Sequence, residues 1–197
     1  GSTYGEATET APTNAGTYKA SITVGGATAS VEYTIAKADP TCTAPTGLTA
    51  TYGQTLADVT VTNPSGNTAG TWAWADSRTS VGNVVTPAAT FKASFVPTDT
   101  TNYNSVSNID VTVTVAKKEI TVSGIKVNNK VYDGSCNATI DTSSATISGA
   151  LSGDTLTVSA NASFADKNVG EDKTVNLSNI TLGGESASNY TLASSGQ

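Results

Sequence analysis

Two segments, Tyr33-Thr34-Ile35-Ala36-Lys37 and Val113-Thr114-Val115-Ala116-Lys117, write the same strand ending twice, 80 positions apart. A chain that repeats at this period is a row of small units with modest cores rather than one large domain. The stretch VTVTVAKKEITV, Val111 to Val122, is then a seam where one β-strand ends and the next begins across Lys117, Lys118 and Glu119. The seam and its earlier copy divide the chain into residues 1–37, 38–117 and 118–197. The first reads as a partial repeat without its opening strands, the second as a complete repeat, and the third as a repeat without its last strand.

Period-two alternation fills these segments. Tyr18 to Val24 alternates apolar and polar, Gly25-Gly26 makes a two-residue hairpin turn, and Ala27 to Ile35 returns with its apolar residues on the same face. In residues 38–117 the expected strands are Gln54 to Val61, Thr71 to Ala75, Thr90 to Val96 and Ile109 to Val115. In residues 118–197 they are Ile120 to Val127, Ala138 to Ile147, Thr155 to Val158, Phe164 to Gly170, Thr174 to Leu182 and Tyr190 to Leu192. Tyr52 and Tyr132 sit in equivalent turns 80 positions apart, whereas Gly82 with Gly170 and Tyr103 with Tyr190 are 88 and 87 apart. That slip predicts an insertion in a surface loop of the later repeat. No window carries an uninterrupted helical period, and Thr and Val favour pleated surfaces because branching at Cβ restricts χ1. The fold expected is all-β: tandem antiparallel β-sandwich modules of immunoglobulin-like type without long helices. A β-grasp-like module, with a helix of about three turns on one sheet, is the alternative.

The residue inventory removes several function classes. Histidine is absent, which excludes Ser-His-Asp, Cys-His and histidine-metal chemistry. A net charge of -6 with only ten Lys and Arg opposes nucleic acid, which needs clustered cations. No apolar run approaches the roughly 20 residues of a membrane span, so membrane insertion is not expected. Asp154, Asp166, Glu171 and Asp172 are the richest carboxylate group, but they sit among Gly, Ser, Lys and Asn like a solvated loop. Calcium would suit them better than catalysis, yet the D-x-D-x-D-G spacing is missing, so no metal ligand and no cofactor is assigned.

Trp72 and Trp74 lie two apart on an expected strand and so share a face. They are either core, which a chain with three Phe needs, or a flat platform for sugar rings. Tyr132-Asp133-Gly134 reads as a turn in which Asp133 bonds the nearby backbone, Gly134 takes positive φ and Tyr132 packs alongside. Cys42 and Cys136 fall in different repeats and read as free, partly buried thiols.

The motifs resemble tandem repeats of bacterial cell-surface adhesins. KVYDGSCNATI, SGD at Ser152 to Asp154, FADKNVG from Phe164 and SNYTL from Ser188 are similar to the YDG-type repeat. APTGLTATYGQTLADV, TWAWAD, SVGN, TDTTNYN and PTNAGTYKASITV are similar to the MBG-type or bacterial immunoglobulin-like repeats that adjoin it. Cys42 and Cys136 stand where that pattern expects a small or hydroxylated residue. The resemblance implies an extracellular, surface-anchored bacterial protein in which such modules form a stalk and are not enzymes. Their partners would be neighbouring repeats, with host glycan or protein as the alternative, met through Trp72 and Trp74. The sequons at Asn137, Asn161, Asn176 and Asn179 would then be ordinary Asn and Thr. The incomplete first and third segments would each leave a strand edge open. Residues 18–35 of one molecule are expected to complete the third repeat of another, giving a strand-complemented homo-oligomer.

Overall fold

A computed structural model describes residues 9–193 and shows an all-β chain. Its longest helical pieces among the described residues are two three-residue 3-10 turns, Leu56–Asp58 and Ala187–Asn189. The helix that a β-grasp module needs is therefore absent from the described residues, and the β-sandwich-like reading stands.

The hairpin forms as its sequence dictates. Strands β1 (Gly16–Val24) and β2 (Ala27–Ile35) pair antiparallel in unbroken register, Tyr18 opposite Tyr33 and Ile22 opposite Ala29. Gly25 and Gly26 have φ of 58° and 85°, the pair of positive values that a type I′ turn requires. Strands β3 (Leu48–Thr51), β4 (Gly70–Trp74), β5 (Ala89–Pro97) and β6 (Val106–Ala116) follow. They make a four-stranded sheet in the order β3-β6-β5-β4. The alternation expected for Ile109 to Val115 is seen directly in β6, where Val111, Val113 and Val115 are buried and the residues between them exposed. Beyond Lys117 come β7 (Lys118–Ser123), β8 (Lys126–Val127), β9 (Asn137–Ala138), β10 (Ile140–Asp141), β11 (Thr146–Ser148), β12 (Thr157–Phe164), β13 (Val175–Gly183) and β14 (Tyr190–Leu192). These form small sheets ordered β11-β7-β14, β13-β12-β9 and β10-β8.

Five expected strands come out differently, the mildest being Thr155 to Val158, which starts at Thr157 and runs on to Phe164 as β12. Gln54 to Val61 is not a strand. Asp58 Oδ2 accepts from the Thr55 N–H at 2.9 Å and its hydroxyl at 3.2 Å, which closes the 3-10 turn. Leu56 and Val59, three apart, are both buried. Ile120 to Val127 breaks at Gly124, whose φ is 75°. Ala138 to Ile147 divides into β9, β10 and β11. Between the last two, Asp141 Oδ1 accepts the Ser143 N–H at 2.8 Å and bends the backbone out of the sheet. After Phe164 the same device recurs, with Asp166 Oδ1 accepting the Asn168 N–H at 2.8 Å, and the expected strand to Gly170 becomes a loop. The pairing is also not purely antiparallel, since β14 runs parallel to β7 and Ala38 bridges Tyr103 in parallel. In both places the chain entering a repeat and the later Asn-Tyr segment run in the same direction.

The described chain divides into two compact units. One comprises Gly1–Leu48, Val59–Arg78 and Thr90–Thr112, the other Thr49–Asp58, Thr79–Ala89 and Val113–Gln197. The core of the first is Trp72, Ala93, Phe95 and Val111, with Cys42, Leu48, Val61 and Trp74 packed on it. In the second, Leu56, Val81, Ile120, Val122 and Tyr190 are each at most 2% exposed.

Candidate functional site

The residues singled out in the sequence do not converge on one chemical centre. Trp72 and Trp74 share a face of β4, and that face is packed. Trp72 is 8% exposed, packs on the Phe95 ring at 5.3 Å with the two planes tilted by 48°, and donates its Nε1–H to Asn63 Oδ1 at 3.1 Å. Trp74 is half-buried, meets Phe91 edge-on at 6.3 Å and donates to the Val59 carbonyl at 3.0 Å. With both indole N–H groups bonded inside the first unit, the pair is held as core side chains are.

Of the four carboxylates, Asp154 stands apart, while Asp166, Glu171 and Asp172 line one open cleft. Asp166 pairs with Lys173, which holds its carboxyl below the usual range. No group of three or more potential metal ligands occurs among the described residues. Asp133 is lowered to about 2, first by the Lys130 ammonium and then by the Ser135 N–H. Gly134 takes φ of 76° as the turn requires, but Tyr132 does not pack beside it and is 57% exposed. Cys42 and Cys136 are free and half-buried, and burial raises the Cys42 thiol.

Asp154 alone has a constructed environment. Its carboxylate accepts hydrogen bonds from the Tyr190 hydroxyl, from Tyr52 at 3.0 Å and from Ser186 at 3.1 Å. Those bonds, Tyr190's first, hold it below the usual carboxylate range. Burial is the main cause that raises both tyrosines, with the Asp154 carboxylate adding to it. The two rings meet edge-on at 5.3 Å. Beside them Gly53, at φ 92°, lies so near Leu151 that a Cβ would come within 2.8 Å of its side chain. A turn of the 38–117 repeat is thus closed against the 118–197 repeat, wholly within the second unit.

Next to this contact is an asparagine clasp that the chain makes twice. Asn189, 4% exposed, accepts the Val84 N–H on Oδ1 at 2.9 Å and donates Nδ2–H to Asn83 Oδ1 at 3.1 Å. In the first unit Asn102 accepts the Ala15 N–H on Oδ1 at 2.7 Å and donates to Asn14 Oδ1 at 3.1 Å. Each clasp asparagine precedes the tyrosine of a parallel bridge, Tyr103 to Ala38 and Tyr190 to Lys118. Ala38 and Lys118 are themselves 80 positions apart, so the joint repeats with the sequence. Asn14-Ala15-Gly16 therefore corresponds to Asn83-Val84-Val85, and the counterpart of Gly16 is Val85 rather than Gly82. Alternation could not point to these residues, because short polar side chains in loops carry no period. The signal available was the recurrence of Asn-Tyr at 102 and 189; Asn followed by Ala or Val stands at 14, 83, 137, 161 and 168 and marks the partner loops less selectively.

A bonded pair of carboxamides and a lowered carboxylate can join surfaces, but they supply neither a nucleophile nor a poised acid. Among known proteins, no curated protein and no solved structure matches the chain. Residues 116–197, the repeat that begins at the seam, match the family described as the YDG domain.

Proposed function

We propose that the chain is a spacer: tandem repeats in the stalk of an adhesin-like protein on a bacterial cell surface, without catalytic activity. The observation that carries this is the joint made twice with the same atoms, Asn102 on Asn14 and Ala15, and Asn189 on Asn83 and Val84. A chain that invests its one buried polar side chain among the described residues, Asn189, in joining repeats is built for continuity between them. The YDG match over residues 116–197 and the similarity of residues 38–117 to MBG-type or bacterial immunoglobulin-like repeats support the same reading. Every aspartate with a resolved shift, namely Asp99, Asp133, Asp141, Asp154 and Asp166, is held down rather than poised near neutrality. A net charge of -6 argues against a nucleic-acid role, and duplex DNA at low salt is expected to give no mobility shift.

A spacer adds a fixed length for each repeat. Small-angle scattering of the chain, and of a version with residues 38–117 duplicated in line, should differ by one constant step, roughly 30 Å for a nine-residue strand. A broad spread of lengths without a fixed step would overturn the spacer. Protease added to intact cells should remove the protein, and full protection would overturn its surface location.

A further inference from the structure

The joint has a donating half in one repeat and a receiving half in the next. The donating half of residues 38–117 is the Tyr52-Gly53 turn with the loop Asn83-Val84, and the receiving half of residues 118–197 is Asp154, Ser186, Asn189 and Tyr190. Residues 118–197 also carry a donating half of their own. Tyr132 stands 80 positions after Tyr52, and Asn168-Val169 repeats the pairs Asn14-Ala15 and Asn83-Val84.

That third donating half has nothing seated on it among the described residues. Ala15 and Val84 are half-buried with their N–H groups bonded to an asparagine, whereas Val169 is 86% exposed and its N–H has no acceptor. Tyr52 is half-buried under Tyr190, whereas Tyr132 is 57% exposed and makes no ring contact. Gly53 is crowded by Leu151, whereas space around Gly134 is open. Between the Tyr132 turn and the Asn168 loop lies an open cleft of about 860 Å³, whose charged lining is Lys130, Asp166, Lys167, Glu171, Asp172 and Lys173. In the occupied joint the Asn189-Tyr190 segment fills the corresponding place between the Tyr52 turn and the Asn83 loop.

We propose that this cleft is the docking site for one further repeat of the same kind, which inserts an Asn-Tyr segment between Tyr132 and Asn168-Val169. The incoming asparagine accepts the Val169 N–H on its Oδ1 and donates to Asn168 Oδ1. The incoming tyrosine packs against Tyr132, whose hydroxyl donates to the carboxylate that the new repeat carries in the place of Asp154. Continuity with the two seated asparagine clasps and with the seated contact of Tyr52 with Tyr190 selects this occupant over a small molecule. The proposal rests on the spacer reading only in taking the neighbour to be a repeat, and it is independent of cellular location.

The test is amide exchange at Val169 in two extended chains. In one, residues 1–192 run directly into a second copy of residues 106–197. In the other, a flexible Gly/Ser linker of about 15 residues after Gln197 leads to a second copy of residues 118–197, which raises the effective concentration of a vacant receiving half. Exchange at Val169 is expected to slow on the order of tenfold or more in at least one of them, relative to the unextended chain. The change Asn189→Ala in the appended copy alone is expected to abolish the slowing. Unaltered exchange in both extended chains, or slowing that survives that Asn189→Ala change, overturns the proposal. The scattering step with duplicated residues 38–117 does not involve Val169, so the spacer reading is tested separately.

Discussion

β1 and β2 pair through nine residues each, yet Ile22, Val24 and Val31 of this hairpin remain 64%, 70% and 62% exposed. β14 has three residues and buries Tyr190 to 2%. The hairpin satisfies its own backbone and forms from local pattern, while β14 is held by what lies around it: the parallel bridge to β7, the Asp154 carboxylate and the Asn189 clasp. A long ladder and a strong alternation therefore do not measure how much a strand contributes to a folded unit. Removal of apolar area from water does, together with partners for the polar groups buried alongside.

The sharpest way to break that comparison is to truncate one anchor in each kind of place. Tyr190→Ala and Trp72→Ala should each cost about 3–5 kcal/mol in urea unfolding, because each leaves a cavity and strands a bonded partner. A Tyr190→Ala chain within 1 kcal/mol of wild type would show that the joint only decorates its unit.

The two clasps can be compared by Asn189→Ala and Asn102→Ala. Each leaves one N–H without its acceptor, with an expected cost of about 1–3 kcal/mol where the group stays buried. Exchange should speed up at Val84 in the first variant and at Ala15 in the second. A response at only one of the two amides would end the equivalence of the joints.

Acid should loosen the second joint through Asp154. A carboxyl held below its ordinary 3.8 in the folded state contributes stability that is complete above that value and is lost as pH falls through the lower folded one. Wild type should therefore lose stability more steeply than Asp154→Asn below about pH 4. Parallel acid profiles of the two chains would remove Asp154 from the account.

The smallest effect is expected on the hairpin. Ile22→Thr, on a face already open to water, should shift stability by no more than about 0.5 kcal/mol. A larger loss would mean that this face is covered in solution, which fits the strand-complemented oligomer expected from the sequence, and sedimentation over a concentration series would detect it.

The sequence by itself determined whatever depends on neighbours a few residues apart. Alternation placed the β5 and β6 core residues, Gly25-Gly26 placed a turn that only positive φ allows, and the YTIAK and VTVAK copies placed the seam. Local pattern failed where an aspartate competed with the ladder for an N–H, as at Asp58, Asp141 and Asp166, because such a side chain ends a strand without interrupting its apolar period. The joint was decided only by tertiary structure. Its hydrogen bonds link residues 87, 88, 105 and 106 positions apart, between side chains that obey no spacing rule until folding brings their loops together. Even the burial of Trp72 and Trp74 had this character: β-periodicity put both indoles on one face, and only packing against Phe95 and Phe91 decided which side of the sheet was dry.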